Sequence, residues 1–276
     1  MGHTLPFSNA ALVMTIHDPD GRLRPGLAAV GERLAAYDGV YAVATEGTDA
    51  GLIAALCTRG VEVAIGPGGE PGIGQRRALA MGLEAGHDDL FVCDFDRWLH
   101  WAATFPDELD DLRRRMVEEF GEAWYVCLGR TPRAHATHPQ TQVLPETATN
   151  RALSAVAGRT LDATAGASWI RREAAEVIVA QAVATSKATD LEWPGLVLWV
   201  DPSRVDGVFL EGLEFETPDA YPMEIAAAGS REAWIAATYD RPIVMRERLQ
   251  LAADAIGALM RVMEREGRCG GRPTGR

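Results

Sequence analysis

Four short apolar runs, Ala11 to Ile16, Gly39 to Thr45, Val61 to Ile65 and Leu90 to Cys93, are separated by segments of helical spacing. That alternation constrains the fold more than any other feature of the chain. Leu27, Val30, Leu34 and Tyr37 stand three or four residues apart and mark the first helix. Gly47, Thr48 and Asp49 form an N-cap region ahead of a helix over Leu52 to Cys57, and a third helix runs from about Gln75 to Ala85. Strands and helices in regular turn predict an α/β fold with a doubly wound, mostly parallel sheet. Its ligands should sit beyond the carboxyl ends of the strands. Asp94 and Asp96 stand at such an end, directly after Cys93.

Beyond that point the pattern is less even. It reads as a helix near Asp107 to Phe120, a strand at Ala123 to Leu128, and a long polar loop from Gly129 to about Glu146. That loop carries Arg130, Arg133, His135 and His138, and loops of such length tend to be functional or mobile. Helices near Thr149 to Ala157 and Arg171 to Val183 follow, then short strands at Leu196 to Val200 and Gly207 to Leu210. From Tyr221 to Glu266 the chain is mostly helical. There Leu249, Ala252, Ile256, Leu259, Met260 and Met263 form an apolar stripe that packs on the core or makes a homodimer contact. The Gly-rich, basic segment from Gly267 to Arg276 reads as a disordered tail. The expected division is a sheet-bearing domain over residues 1–215 and a helical C-terminal extension over 216–276.

The net charge of −12 repels nucleic acid and anionic membrane surfaces. A phosphate-bearing ligand therefore needs a metal ion or a local basic cluster. The apolar run from Gly195 to Val200 is far short of the roughly 20 residues that span a bilayer. No secretory signal is visible at the N-terminus, so the expected location is cytoplasmic. Cys57, Cys93, Cys127 and Cys269 are widely separated with no C-x-x-C pair. They read as small buried hydrophobes rather than bridges or zinc ligands.

In a strand, side chains two apart point the same way, so Asp94 and Asp96 can face one cavity. Two carboxylates together favour a hard divalent cation, Mg²⁺ or Mn²⁺. Asp18 and Asp20 repeat the spacing by chance, and a capping or turn role is the alternative. Upstream, Gly72, Ile73, Gly74, Gln75, Arg76 and Arg77 open a helix whose amides can face an anion, with Arg76 or Arg77 as a bidentate phosphate contact. The alternative there is a tight turn with the arginines on a solvated face.

The stretch from Pro71 to Gly86, followed by Asp88 to Asp96, resembles the centre of GT-A glycosyltransferases, most closely their family-2 and dolichyl-phosphate-mannose-synthase-like branch. In that branch a Gly-rich turn and helix precede a strand ending in D-x-D. Val40 to Asp49 is similar to the family's second strand and its turn, Phe105 to Leu109 to the helix after the metal site, and Trp124 to Arg130 to a strand ending in Gly-Ser-Arg. Asn150 to Gly158 and Leu161 to Ala174 resemble the segment carrying Asp-x-Thr-Ser-Gly, and Asp190 and Glu192 fall where an acidic pair lies near the acceptor. The likeness covers roughly residues 10–215. Two strand ends depart from it. The second strand offers Thr45 and Glu46 in place of two aspartates, and the first ends in Thr15, Ile16, His17, Asp18 and Pro19 in place of Pro-x-x-Asn-Glu.

The resemblance implies a GT-A fold and transfer of a hexose from a nucleotide-diphosphate sugar, with Mg²⁺ or Mn²⁺ as cofactor. With no membrane anchor after the domain, it implies a soluble small-molecule acceptor. Asp96 would ligate the metal, and Asp94 the metal or the donor ribose. Thr15, Thr45, Glu46, Gly72, Gly74, Arg76 and Arg77 would hold the donor. Glu192 or Asp190 would accept the acceptor's proton, a helix cap or surface turn being the other reading. His135 and His138 would close over the donor or complete the metal shell, or remain solvated loop residues. Asp162, Thr164 and Gly166 would shape the acceptor floor. Two other classes stay open. A sugar-phosphate nucleotidyltransferase would want its glycine-rich loop after the first strand, where this chain has His17 to Arg24. The other is a catalytically silent binding module on the same fold.

Overall fold

The first apolar run is β1, Ala10–Ile16, in the computed structural model, which describes residues 9–265. It is followed by α1 (Arg24–Val30), a 3-10 turn over Gly31–Ala36, β2 (Gly39–Thr45), α2 (Ala50–Cys57), β3 (Glu62–Gly66), α3 (Pro71–Glu84) and β4 (Asp89–Cys93). Then come α4 (Phe95–Thr104), α5 (Pro106–Glu119), β5 (Tyr125–Arg130), α6 (Pro132–Ala136), α7 (Gln140–Ala157), β6 (Ala167–Arg171) and α8 (Arg172–Gln181). The chain continues through α9 (Thr189–Val200), β7 (Val205–Leu210), α10 (Pro222–Ala228), α11 (Arg231–Thr238) and α12 (Pro242–Met263).

The seven strands form one sheet in the order β3-β2-β1-β4-β6-β5-β7, and only β6 runs antiparallel to its neighbours. This is the expected mostly parallel, doubly wound sheet. Because strand side chains alternate, β1 serves two cores at once. Ala10, Leu12, Met14 and Ile16 pack with α1, α2, α4 and α5 on one face, while Ala11 and Val13 pack with α3, α8, α9 and α12 on the other. The chain reverses its build direction between β1 and β4, the switch point at which such sheets open a crevice. Asp49 caps α2 by accepting from the Leu52 amide at 2.8 Å, as expected from its position.

Three readings of the sequence are corrected. The expected polar loop from Gly129 to Glu146 is largely α6 and α7. Helix α7 buries Thr141, Gln142, Pro145, Thr149 and Asn150 with Leu153, so its inner face is polar and carries no apolar stripe. The expected strand at Leu196 to Val200 is the second half of α9, buried on all sides, and an apolar run enclosed in this way has no helical signature. Cys57 is exposed, whereas Cys93 and Cys127 are buried as expected. The expected tail at Gly267 to Arg276, with Cys269, lies outside the described residues. Among the described residues no helix is long and apolar enough to cross a membrane. Helix α12 packs along α7 and α9, and its Ala255, Ala258, Leu259 and Val262 join the second core.

Candidate active site

Strand β4 ends at Cys93, and Asp94 is the N-cap of α4, with φ −63° and ψ 142°. Asp96 lies in that helix's first turn. The two carboxylates are thus brought to one cleft by a helix start and not by strand alternation. Asp94 spans the switch point. Thr15 Oγ1, at the end of β1, donates to its Oδ1 at 2.6 Å, and Lys187 Nζ donates to its Oδ2 at 2.8 Å. Gly166 sits against this pair with φ +70°, and a Cβ there would come within 3.3 Å of Asp94 Oδ2 and of Arg97 Nε.

Burial opposes ionisation of Asp94, but Lys187 and Thr15 hold its carboxyl below the ordinary range. Burial likewise works against the Lys187 charge, and the carboxylates of Asp94 and Asp190 overcome it and raise its pKa. Asp96 behaves in the opposite way. Burial, Glu216 and Asp94 push its pKa up to about 7, and the only hydrogen bond to its carboxylate among the described residues comes from the Arg97 amide at 2.9 Å. A carboxylate destabilised by neighbouring negative charge, with free lone pairs, suits a divalent cation. Among the described residues no three His, Cys, Asp or Glu side chains converge into a preformed metal centre.

Two cavities meet at the Asp94–Lys187 pair. The first is lined by Thr15, Thr45, Gly74, Asp94, Asp96 and Lys187. The second is lined by Asp94, Lys187, Gln142, His138, Asp190 and Arg130, with α12 closing one wall. Arg130 ends β5 on the floor of the second cavity. It grips Asp162 through Nε at 2.8 Å and Nη2 at 2.9 Å, and reaches Glu146 through Nη1 at 2.7 Å and Thr164 through Nη2 at 2.7 Å. Asn150 Nδ2 adds a bond to Asp162 at 2.6 Å. Burial pushes the Asp190 pKa up to about 7, with the charges of Asp94 and Glu146 adding to it against Lys187.

The remaining predicted residues divide clearly. Thr15, Thr45, Gly74, Asp94 and Asp96 share the first cavity. His138 lines the second, beside Phe215 and away from Asp96. Burial and Arg130 depress its pKa to about 2, so it is a neutral imidazole. Arg76 and Arg77 face neither cavity. Arg76 Nη1 donates to the Ala182 and Ala184 carbonyls at 3.1 and 3.3 Å, and Arg77 Nη1 to the Ile65 carbonyl at 2.6 Å. Glu46 is exposed and lines neither cavity. Glu192 is buried with its carboxylate accepting from the amides of Val183 (2.9 Å) and Ala184 (3.0 and 3.1 Å), which leaves it facing backbone and not the cavity. Outside the predicted set, His100 Nδ1 hydrogen-bonds Asp219 at 2.6 Å.

Gly72 gives close approach to the 182–188 segment and not to a ligand. Its amide donates to the Thr185 carbonyl at 2.9 Å, and a Cβ would come within 2.8 Å of the Ala184 and Ser186 carbonyls. Gly72→Ala should therefore cost about 1–3 kcal/mol by overpacking and displace the segment that bears Lys187. A thermal melt checks the first effect and nucleotide affinity the second. Lys187 itself is absent from the sequence-based site. The available signal was compositional, because it is the only lysine among the 27 basic residues of the chain. Arg97 and Gln142 were missed as well, Arg97 on a helix and Gln142 on the first half of one that the sequence pattern did not reveal.

No protein-family model matches the chain, and no curated protein matches it. Solved structures do. Mannosyl-3-phosphoglycerate synthase from Rubrobacter xylanophilus superposes with a TM-score of 0.61 at 16% identity, over 98% of this chain and 79% of that one. Glucosyl-3-phosphoglycerate synthase from Mycobacterium tuberculosis, in complex with phosphoglyceric acid, gives 0.56 at 13% identity, over 93% and 80%. The same enzyme with Mn²⁺, uridine diphosphate and phosphoglyceric acid gives 0.55 at 13%, over 93% and 79%. The chain has a GT-A fold. In this GT-A frame, Thr15, Asp94 and Lys187 stand at the mouth of the β1–β4 crevice, where α/β sheets of this kind hold their ligands.

Proposed function

We propose that the chain is a metal-dependent glycosyltransferase that moves a hexose from a nucleoside-diphosphate sugar to a soluble small-molecule acceptor. The observation that carries this reading is the Thr15–Asp94–Lys187 set, which stands between two cavities and reaches into both. The solved neighbours that hold Mn²⁺ with uridine diphosphate or uridine-diphosphate-glucose, and a three-carbon phosphate compound, are consistent with it. The donor takes the cavity of Thr15, Thr45 and Gly74, and the acceptor the cavity of Gln142 and Asp190.

Asp96 is the residue fitted to hold Mg²⁺ or Mn²⁺, with Asp94 behind it. His138 lines the second cavity and not the first, which Asp96 lines. When bound, the cation supplies Lewis-acid stabilisation of the leaving diphosphate. Lys187 adds a fixed positive charge at the same place, held by Asp94 so that little reorganisation accompanies the reaction. The anomeric carbon–oxygen bond to the diphosphate breaks, the electron pair leaving with the nucleotide. A bond forms to the acceptor hydroxyl oxygen, whose proton passes to Asp190. A carboxylate with a pKa of about 7 is well matched to that task near neutrality.

Asp190 must be ionised to take the proton, so transfer should rise with pH through about 7 and fall sharply in Asp190→Asn. Stability should move the other way. An unfolded aspartate ionises near ~3.9, so between there and about 7 the folded chain holds a proton that the unfolded chain has lost. Stability then declines as pH rises across that window. Asp190→Asn should flatten this part of the curve, which melts at several pH values will show.

The test of the function is direct. Purified protein with Mn²⁺ should be stabilised saturably by at least one nucleoside diphosphate, and at 100 times the dissociation constant the gain is about 2.7 kcal/mol. Absence of any shift across the common nucleoside diphosphates would sink the reading. Pyrophosphate released from a nucleoside triphosphate and a sugar phosphate would replace it with a nucleotidyltransferase.

A further inference from the structure

Two buried side-chain nitrogens of residues that line the second cavity have no hydrogen-bond partner among the described residues, His138 Nε2 and Arg97 Nε. A buried polar atom left unpaired is unfavourable, so two of them at one cavity point to groups that a ligand completes. They differ in what they require. Arg97 Nε carries a hydrogen and is completed by any oxygen, of a hydroxyl or of an acid. His138 is the selective one.

The tautomer of His138 is fixed by its surroundings. Nδ1 lies 3.1 Å from the Ala134 carbonyl, which only accepts, so Nδ1 carries the hydrogen. The Thr137 hydroxyl, 3.5 Å from Nδ1, does not supply it, because it donates to the same carbonyl at 2.7 Å. His138 is 5% exposed, and its ring lies against Phe215 with the centroids 5.5 Å apart. Burial and Arg130 keep the imidazole neutral, so Nε2 remains a bare lone pair. Such an atom accepts from a hydroxyl and gives nothing to a carboxylate, carbonyl or ether oxygen.

The rest of the cavity sets no limit on the charge of its occupant. Lys187 uses one N–H, on Asp94, and Arg248 approaches Glu146 at 3.8 Å without a hydrogen bond. The Gln142 side chain, in the same wall, makes no hydrogen bond among the described residues and can both donate and accept. Asp190, on α9, takes the proton of the reacting hydroxyl on the reading above. His138, between α6 and α7, is then left to receive a different one.

We infer that His138 is a specificity-determining residue whose Nε2 receives a second, non-reacting hydroxyl of the acceptor substrate, so that this substrate is a diol or polyol, with or without an acid group. The inference rests on the transferase reading of the same site.

The experiment uses the full chain with Mn²⁺ and radiolabelled nucleoside-diphosphate hexoses. The acceptors are a panel of sugars, polyols and sugar acids, each with its monodeoxy derivatives, such as glycerate with lactate. The panel includes 3-phosphoglycerate, whose single hydroxyl would be the reacting one. The Mn²⁺- and nucleotide-dependent rise in melting temperature is measured first, and its absence counts against the transferase reading, not against the role of His138. With that rise present, label should enter a polyhydroxylated acceptor, neutral or acidic. Removal of one of its non-reacting hydroxyls should lower kcat/KM about 10- to 100-fold, mainly through KM, as expected when a buried lone pair loses its donor. Label on 3-phosphoglycerate alone, deoxy partners as good as their parents, or label on no acceptor overturns the inference. In His138→Leu the preference for the parent over that deoxy partner should collapse towards unity. His138→Gln, which can present an amide oxygen near the place of Nε2, should restore part of it, and a merely structural role would not. A preference unchanged in His138→Leu, with the fold intact, also overturns the inference.

Discussion

Lys187→Met is expected to lower kcat by about 10²- to 10³-fold, the scale of losing one preorganised charge at a developing anion. The side chain stands where the two cavities join, and its ammonium is oriented by Asp94 at 2.8 Å. Its loss acts on stability with a definite sign. Asp94 is held below the ordinary carboxylate range by that ammonium, so the pair stabilises the fold above the unfolded carboxylate pKa and stops doing so as pH falls through the lowered one. The variant should therefore melt below the wild type at neutral pH and converge with it in acid. A uniform difference at all pH values would mean that the lysine only packs. Steady-state kinetics and melts over pH measure both effects.

Asp96→Ala should have the second large effect, and its signature is different. Cation stabilisation of a leaving diphosphate is worth several kcal/mol, or roughly 10³-fold or more in rate. The Mn²⁺-dependent rise in melting temperature should vanish with it. The protein without metal should be no less stable than the wild type, and above neutral pH slightly more so. The wild-type carboxylate is raised to about 7 by burial and by Glu216 and Asp94, and ionising it therefore weakens the fold. A Mn²⁺ response that survives the substitution removes Asp96 from the metal site.

How much of this was legible in the sequence follows from what each segment buries. β1, β2 and β4 read correctly because their runs are apolar on both faces, as a covered parallel strand needs. The aspartates at the end of β4 were legible for the same reason, although the helix that orients them was not. The first half of α7 was hidden because the side chains it turns inward, Thr141 and Gln142, are polar, whereas its second half, from Thr149 to Ala157, was read as a helix. The second half of α9 was hidden for the opposite reason, being apolar all round. Arg76 and Arg77 looked like phosphate ligands because sequence gives charge without direction. In the fold Arg76 ties down backbone at Ala182 and Ala184, and that backbone carries the residue that does face the cleft. Gly72, Arg76 and Glu192 thus support Lys187 from behind.

Helix α12 lies last in sequence, after every strand, yet Arg248, Leu251, Ala252 and Ala255 from it complete the wall of the second cavity. Among the described residues, the first cavity is lined by residues 15–96 together with Lys187. On the reading proposed above, the donor's cavity is encoded early in the chain, and the acceptor's is assembled from segments running from Asp94 to Ala255 that meet the first at Asp94 and Lys187. On that reading, drift in the C-terminal helices would retune the acceptor while the segments around the donor's cavity stay as they are.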